Sequence, residues 1–426
     1  MKIKIIDKTY AEVMALPTPK HTKPKKINMF FRTLIKSLSA VNLRGNNITY
    51  REHGMEKLEK DQPCLYLMNH SSFIDMQIAA NYIYPRPFST VCTTDAFIGK
   101  EWLMKQIGCI PTQKFVADIT LLRDMSYAVK ELKSSILMYP EACYSFDGTA
   151  STLPDSLGKF LKMLKVPVVS IITRGAFLRE PLYNMLRHRK IDISADVTYL
   201  LSSEQIQSLS AEELNDIIAK EFSFDNFKWQ KENNIVINED FRADGLERVL
   251  FKCPHCMAEG KMLGKGITIT CTKCGKAWEL SELGELVAAD GEGYFSHIPD
   301  WYAWERSEVK AEIERGEYML DTDVDTYMMV DYKGVYRVGD GHLIHNSEGF
   351  KLTGCEGELD YTQSPLASYS INADYYWYEI GDTISIGNKE HLFFCFPKGD
   401  KTIVAKAKMA AEELFKLKRA DSRSKK

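Results

Sequence analysis

Between about residue 60 and residue 200, short apolar runs alternate with longer stretches whose apolar residues recur every three or four positions. The runs "CLYLMN", "FSTVC", "SSILMYP" and "VPVVSIIT" have the length of strands. The stretches "FIDMQIAANYI", "AFIGKEWLMKQIG", "DITLLRDMSYAVKELK" and "SLGKFLKML" have helical periodicity. Strands and helices in alternation predict an α/β fold with a mostly parallel sheet flanked by helices. Ser210 and Glu213 have the spacing of a capping box, so a helix is predicted to open there. Residues 230–247 are polar and read as a linker. A tryptophan-rich helix is predicted over "IPDWYAWERSEVKAEIERGEY". From about 316 to 398 the pattern changes to short β-rich runs broken by Gly and Asp. A last helix follows, with Asp400 available as its N-cap. The terminal "SRSKK" is expected to be disordered. The organisation read from this pattern is a basic segment at 1–60, an α/β domain at 61–245, a cysteine-rich unit at 248–285, a connecting helix at 290–315 and a β-rich domain at 316–418.

A chain of 426 residues is long enough for two or three domains, each with its own core. No apolar run approaches the roughly 20 residues that span a bilayer. The N-terminus lacks the apolar core of a secretory signal, so a cytoplasmic location is expected. The net charge of -3 gives no reason to expect nucleic acid. The charge is uneven, however: residues 1–50 hold ten Lys and Arg against two acids. Within that segment, Met29, Phe30, Leu34, Ile35 and Leu38 recur near helical spacing among cations. Such a helix fits the anionic interface of a membrane. It equally fits a helix packed on the core with solvated lysines.

Candidate chemistry enters at "CLYLMNHSSFIDMQ". A strand ends in Asn69 and His70, and a helix follows that Ser71 or Ser72 can cap. His70 then lies at the carboxyl end of a parallel strand, where open α/β sheets hold their ligands. Asp75, one turn on, can reach back to one imidazole nitrogen and leave the other free as a base. No protein nucleophile accompanies the pair, which suits activation of a substrate hydroxyl.

The motif Asn69-His70-Ser71-Ser72-Phe73-Ile74-Asp75 resembles the first motif, NHxxxxD, of the lysophosphatidate (1-acylglycerol-3-phosphate) acyltransferase family. Pro140 and Glu141 in "ILMYPEACYS" resemble its third motif, and "VPVVSI" its fourth. The resemblance covers roughly residues 28–200 and implies a glycerolipid acyltransferase fold. It implies that His70 deprotonates an acceptor hydroxyl, which attacks the thioester of acyl-CoA or acyl carrier protein. Asp75 would stabilise the imidazolium. Asn69, Lys114 and Glu141 would bind substrate, a lysophospholipid-type acceptor in phospholipid synthesis or remodelling. Two departures stand out. Lys114 occupies the place of an arginine that holds the acceptor phosphate, and it lacks the bidentate fork. Ala142-Cys143-Tyr144 replaces Gly-Thr-Arg, which removes a second cation and the glycine of a small turn. Arg123, Arg174 and Arg179 could supply charge instead. These departures leave a second reading, a non-catalytic lipid- or protein-binding adaptor on a degenerate acyltransferase fold.

Cys253-x2-Cys256 and Cys271-x2-Cys274 present four thiolates at the spacing of a tetrahedral Zn²⁺ ribbon. With four sulfurs no position is open for catalysis, so the metal would be structural. Iron in a rubredoxin-like site is the alternative. The few lysines nearby do not argue for nucleic acid. The seven short strands and final helix of 316–418 resemble a pleckstrin-homology-type, barrel-like domain. Its run "DYYWYEIG" is read as a strand with one face in the core.

Overall fold

The protein is described by a computed structural model that covers residues 2–45, 47–400 and 402–424. The predicted alternation builds a sheet of seven strands. Its order is Ile48–His53, Ile193–Leu201, Val168–Arg174, Leu65–Met68, Ser135–Met138, Phe88–Thr93, Cys109–Thr112. The last five run parallel, and Ile193–Leu201 runs antiparallel to Val168–Arg174. The strand Leu65–Met68 is buried along its whole length. Its side chains alternate between two cores, as the period of two requires. Tyr66 and Met68 pack with Ile78 and Ile83 of the helix Asp75–Ile83. Leu65 and Leu67 pack with Met125, Leu161 and Leu214 from helices on the opposite face. A Leu→Ala change at such a site costs about 2–5 kcal/mol.

Several boundaries differ from the sequence pattern. The sheet begins at Ile48, inside the segment expected to be separate, and Ile5–Asp7 pairs in parallel with Val335–Arg337. The helix expected over 96–108 is broken, because Gly99 takes the left-handed φ of +69°; only Glu101–Gln106 is α-helical. Residues 230–247 are exposed at 231–234, 236, 238 and 240 but are anchored to the core elsewhere. Gln230, Arg242, Ala243 and Leu246 are buried, and Arg242 Nε donates to Leu280 O at 2.5 Å. Polarity there reflects solvation at 231–234 and side-chain bonds to backbone at Gln230 and Arg242.

The cysteine-rich unit is an antiparallel sheet of four strands within 262–288. Its Trp278 packs edge-on against Trp301 of the predicted tryptophan-rich helix, Ile298–Glu314, with ring centroids 4.8 Å apart. The C-terminal domain has the seven antiparallel strands and closing helix expected. Its edges, Leu359–Gln363 and Asn372–Trp377, do not pair with each other, so the sheet stays open. The last helix runs from Ile403 to Ser424, through the first part of the tail expected to be disordered; Lys425 and Lys426 lie outside the described residues. Asp400 stands before that helix and accepts from Thr402 N at 2.8 Å. One continuous core joins Phe177 of the first domain, Trp278, Trp301, Tyr375 and Met409, so the units are packed together and not strung apart.

Candidate active site

The loop after Leu65–Met68 is fixed mainly by side chains that bind backbone. Asn69 accepts from Thr173 N at 2.8 Å and donates to Thr173 O at 3.0 Å, which ties the loop to the neighbouring strand. His70 Nδ1 lies 3.1 Å from Asp75 Oδ2. The same oxygen accepts from Ser71 N at 2.7 Å and Ser72 N at 2.9 Å. Neither serine caps the helix as expected. Ile74 is the residue at the N-cap and makes no side-chain cap, because the Asp75 carboxylate itself folds back over the loop amides. Glu141 is fully buried. It accepts from His70 N at 3.0 Å and from Ser151 N at 2.6 Å.

Burial sets the ionisation of this cluster. It pushes the His70 imidazolium well below the ordinary histidine range, and the nearby Lys114 ammonium adds to the shift. His70 is therefore neutral at neutral pH, the state a base needs. Burial raises the Asp75 carboxyl well above its usual range, offset in part by the two serine amides. Burial also pushes Glu141 up to about 7, against the pull of the Ser151 and His70 amides.

His70 opens onto a cavity of about 980 Å³. Its imidazole is stacked between Tyr139, at 4.2 Å, and Tyr144, at 3.9 Å. Tyr144 also stacks on Phe73 at 4.8 Å. Lys114 lines the cavity, with Nζ 5.7 Å from the Tyr144 ring centre. Asn69 and Glu141 do not line it and act on the backbone behind the wall. Arg123, Arg174 and Arg179 are absent from the lining as well. Arg174 pairs with Asp196, and Arg179 is buried against Glu180 at 2.6 Å. The turn thought lost with the motif's glycine is retained: Ala142 takes φ +57°.

The opposite wall comes from the C-terminal domain. Leu366–Tyr369, Asp374–Glu379 and Phe415 face the acyltransferase-like motifs across the cavity. The run "DYYWYEIG" thus contributes to the cavity wall as well as to the core. Nothing in its pattern marked this, because its partner surface lies more than 200 residues away. The last helix braces the same region. Lys408 Nζ lies 3.1 Å from Cys143 Sγ, and Glu412 accepts from Thr152 at 3.3 Å.

An apolar surface flanks the cavity. Phe30, Leu34, Leu38 and Val41 are exposed on the helix Met29–Asn42, Phe30 by 70%. Trp102 and Leu103 are exposed between the cavity residues Lys100 and Met104. Phe31 and Trp102 meet with ring centroids 6.3 Å apart. Among the described residues, no helix is long and apolar enough to cross a membrane. Lys23 does not stand free in solvent but sits over the Tyr127 ring, 4.8 Å from its centre.

Cys253, Cys256, Cys271 and Cys274 converge, with all four sulfurs within 4.8 Å of one another. Two of the separations are 3.8 Å, Cys253 to Cys274, and 3.7 Å, Cys256 to Cys271. Zn–S bonds of about 2.3 Å in a tetrahedron put sulfurs about 3.8 Å apart. The donor set and spacing fit such a metal.

An acyltransferase family model matches residues 49–174. That segment contains the His70–Asp75 pair, Lys114 and Glu141. No curated protein matches the chain. Among solved structures, the 1-acyl-sn-glycerophosphate (LPA) acyltransferase PlsC from Thermotoga maritima is similar at 14% identity and a TM-score of 0.36. The alignment covers 45% of this chain and 76% of that one. Residues 49–174 thus match an acyltransferase domain, and two further antiparallel sheets accompany them.

Proposed function

We propose that the protein transfers an acyl chain from acyl-CoA or acyl carrier protein to a hydroxyl of a lysophospholipid-type acceptor. The observation that carries this reading is the His70–Asp75 pair at the wall of a large, aromatic-lined cavity. Asp75 holds Nδ1, so Nε2 is the nitrogen left for substrate. His70 takes the proton of the acceptor hydroxyl as its oxygen attacks the thioester carbonyl. The imidazolium that forms is stabilised by Asp75, then protonates the departing thiolate. Lys114, which lines the cavity together with Lys100, is the cation assigned to the acceptor phosphate. Incubation with labelled acyl-CoA and a panel of lysolipids, with products identified by mass, tests the reading. One acylated product, lost in His70→Ala, is expected. Product formation at the wild-type rate in His70→Ala would overturn it.

The acceptor is amphipathic, so the cavity must meet a lipid surface. The exposed face of Met29–Asn42 and the adjoining Trp102 and Leu103 form the contact in this reading, with peripheral attachment to an anionic, cytoplasmic membrane face. Zinc held by the four cysteines supplies no step of the reaction; it fixes the fold of the four-stranded unit.

A further inference from the structure

We infer that Asp374, carried to the cavity by the C-terminal sheet, recognises an ammonium group on the acceptor. This rests on the proposed function and names the acceptor's chemical class. The partner it implies is an amine-bearing, zwitterionic lysophospholipid, with the phosphodiester at Lys114 and the amine at Asp374.

Three observations lead there. Asp374 lines the cavity yet is only 6% exposed, and its Oδ1 is buried with no hydrogen-bond partner. The carboxylate takes a backbone hydrogen bond from Tyr375, but a buried oxygen left without a donor is costly, and the native solution is a partner. What is exposed of Asp374 lines the cavity, so a ligand cation can approach the carboxylate from that side. Second, the backbone is distorted where it delivers this residue. The strand Asn372–Trp377 bulges between Asp374 and Trp377. Tyr376, Tyr378 and Glu379 take φ of +54°, +46° and +67°. Bulges of this kind re-aim side chains beside binding sites. The bulge is pinned by Asp382, which accepts from Tyr376 N at 2.9 Å and from Arg248 Nε at 2.8 Å. Third, the wall around Asp374 is aromatic, with Tyr376 and Tyr378 on its own segment and Tyr144 across the cavity. Aromatic faces with a carboxylate are the surroundings that favour an organic cation.

The charge balance points the same way. The charged groups facing Asp374 are Lys114 and Asp95 from the acyltransferase domain and Asp382 from the adjoining strand. The cavity lining carries Lys100 and Lys114 against Asp95, Asp374 and Glu379, so a doubly charged phosphate monoester would meet more acids than lysines. A zwitterion meets one lysine for its phosphate and an acid for its amine. Burial pushes the Asp374 carboxyl up to about 7. An entering ammonium would draw it to the ionised form.

The test uses the full chain with acyl-CoA and three acceptors sharing one acyl chain. Their headgroups are phosphoethanolamine, phosphoethylene glycol (hydroxyl in place of ammonium) and phosphate alone. The wild type is expected to favour phosphoethanolamine over phosphoethylene glycol by about 10- to 100-fold in kcat/KM, the range of a charged hydrogen bond. Asp374→Asn should bring that ratio near one. In the wild type the ratio should rise with pH as the carboxylate forms, and the variant should show no such rise. Asp374→Asn should melt at or above the wild-type temperature; a residue with only a structural role would lower it. Equal rates on the amine and hydroxyl headgroups, preference for phosphate alone, or a ratio untouched by Asp374→Asn would overturn the inference. If no acceptor is acylated, the proposed function fails. Calorimetric binding of the same three lysolipids to the wild type then still decides the amine site, and equal affinities refute it.

Discussion

Glu141→Ala separates two roles for the residue that the third motif marked as substrate-binding. The carboxylate is fully buried and bridges His70 N and Ser151 N, at 3.0 and 2.6 Å. Truncation orphans both amides in a buried loop. Each unsatisfied group costs about 1–3 kcal/mol, so the loss is about 2–6 kcal/mol. For a domain of this size about 2–4 °C accompanies each kcal/mol, and melting should fall by roughly 4–24 °C. His70 should shift with its backbone, and a displacement near 1 Å costs about 100-fold in rate. The effect belongs in kcat, with acceptor KM nearly unchanged and every acceptor affected alike. The pH dependence has a definite sign. Burial raises Glu141 to about 7, above the ordinary glutamate value of 4.5. Its stabilising contribution is full below that ordinary value and is lost as pH rises through 7. The melting difference between wild type and Glu141→Ala should therefore narrow over that window. Steady-state kinetics and calorimetry at several pH values check both. A raised KM for one acceptor with unchanged melting would show that Glu141 touches substrate, against the backbone role derived from the geometry.

Asp75→Asn should slow acyl transfer less than His70→Ala, because Asp75 only orients the ring and stabilises its cation; equal losses would contradict this. Metal analysis of protein purified without added zinc should find one metal per chain, and chelation should unfold the 248–285 unit; metal-free protein with that unit folded would refute the assignment. Ala142→Gly should stabilise the protein by roughly 1 kcal/mol, since Ala142 holds φ +57° where a Cβ is strained; a lowered melting temperature would refute the strain. Phe30→Ser with Leu38→Ser should weaken co-sedimentation with vesicles, salt should weaken only the part due to anionic lipid, and wild-type binding by the double variant would place the membrane contact elsewhere.

What the sequence revealed was what local pattern can carry. The apolar run 64–68 announced a buried parallel strand, and one heptapeptide held both members of the His70–Asp75 pair. The cysteines likewise carried their own spacing. Asn69 and Glu141 were legible as motif members but not as backbone clamps. That role depends on Thr173 and Ser151, which the fold alone brings near. The strand Ile48–His53 was hidden because its pattern is largely exposed at the sheet edge. Asp374 was hidden for a different reason. An acid in an aromatic strand reads as a surface residue until a bulge and a second domain enclose it.

The pairing of Ile5–Asp7 with Val335–Arg337 ties the chain's opening residues to a strand made some 330 residues later. At about 5–20 residues per second, a ribosome needs roughly 15–65 s to supply that partner. Until then the opening strand has nowhere to dock. The far wall of the cavity is still unmade when His70 has long left the exit tunnel. Lys408, Glu412 and the cavity residue Phe415 follow later still. Nascent chains stalled before about residue 400 should therefore hold His70 and Asp75 but lack part of the finished cavity wall.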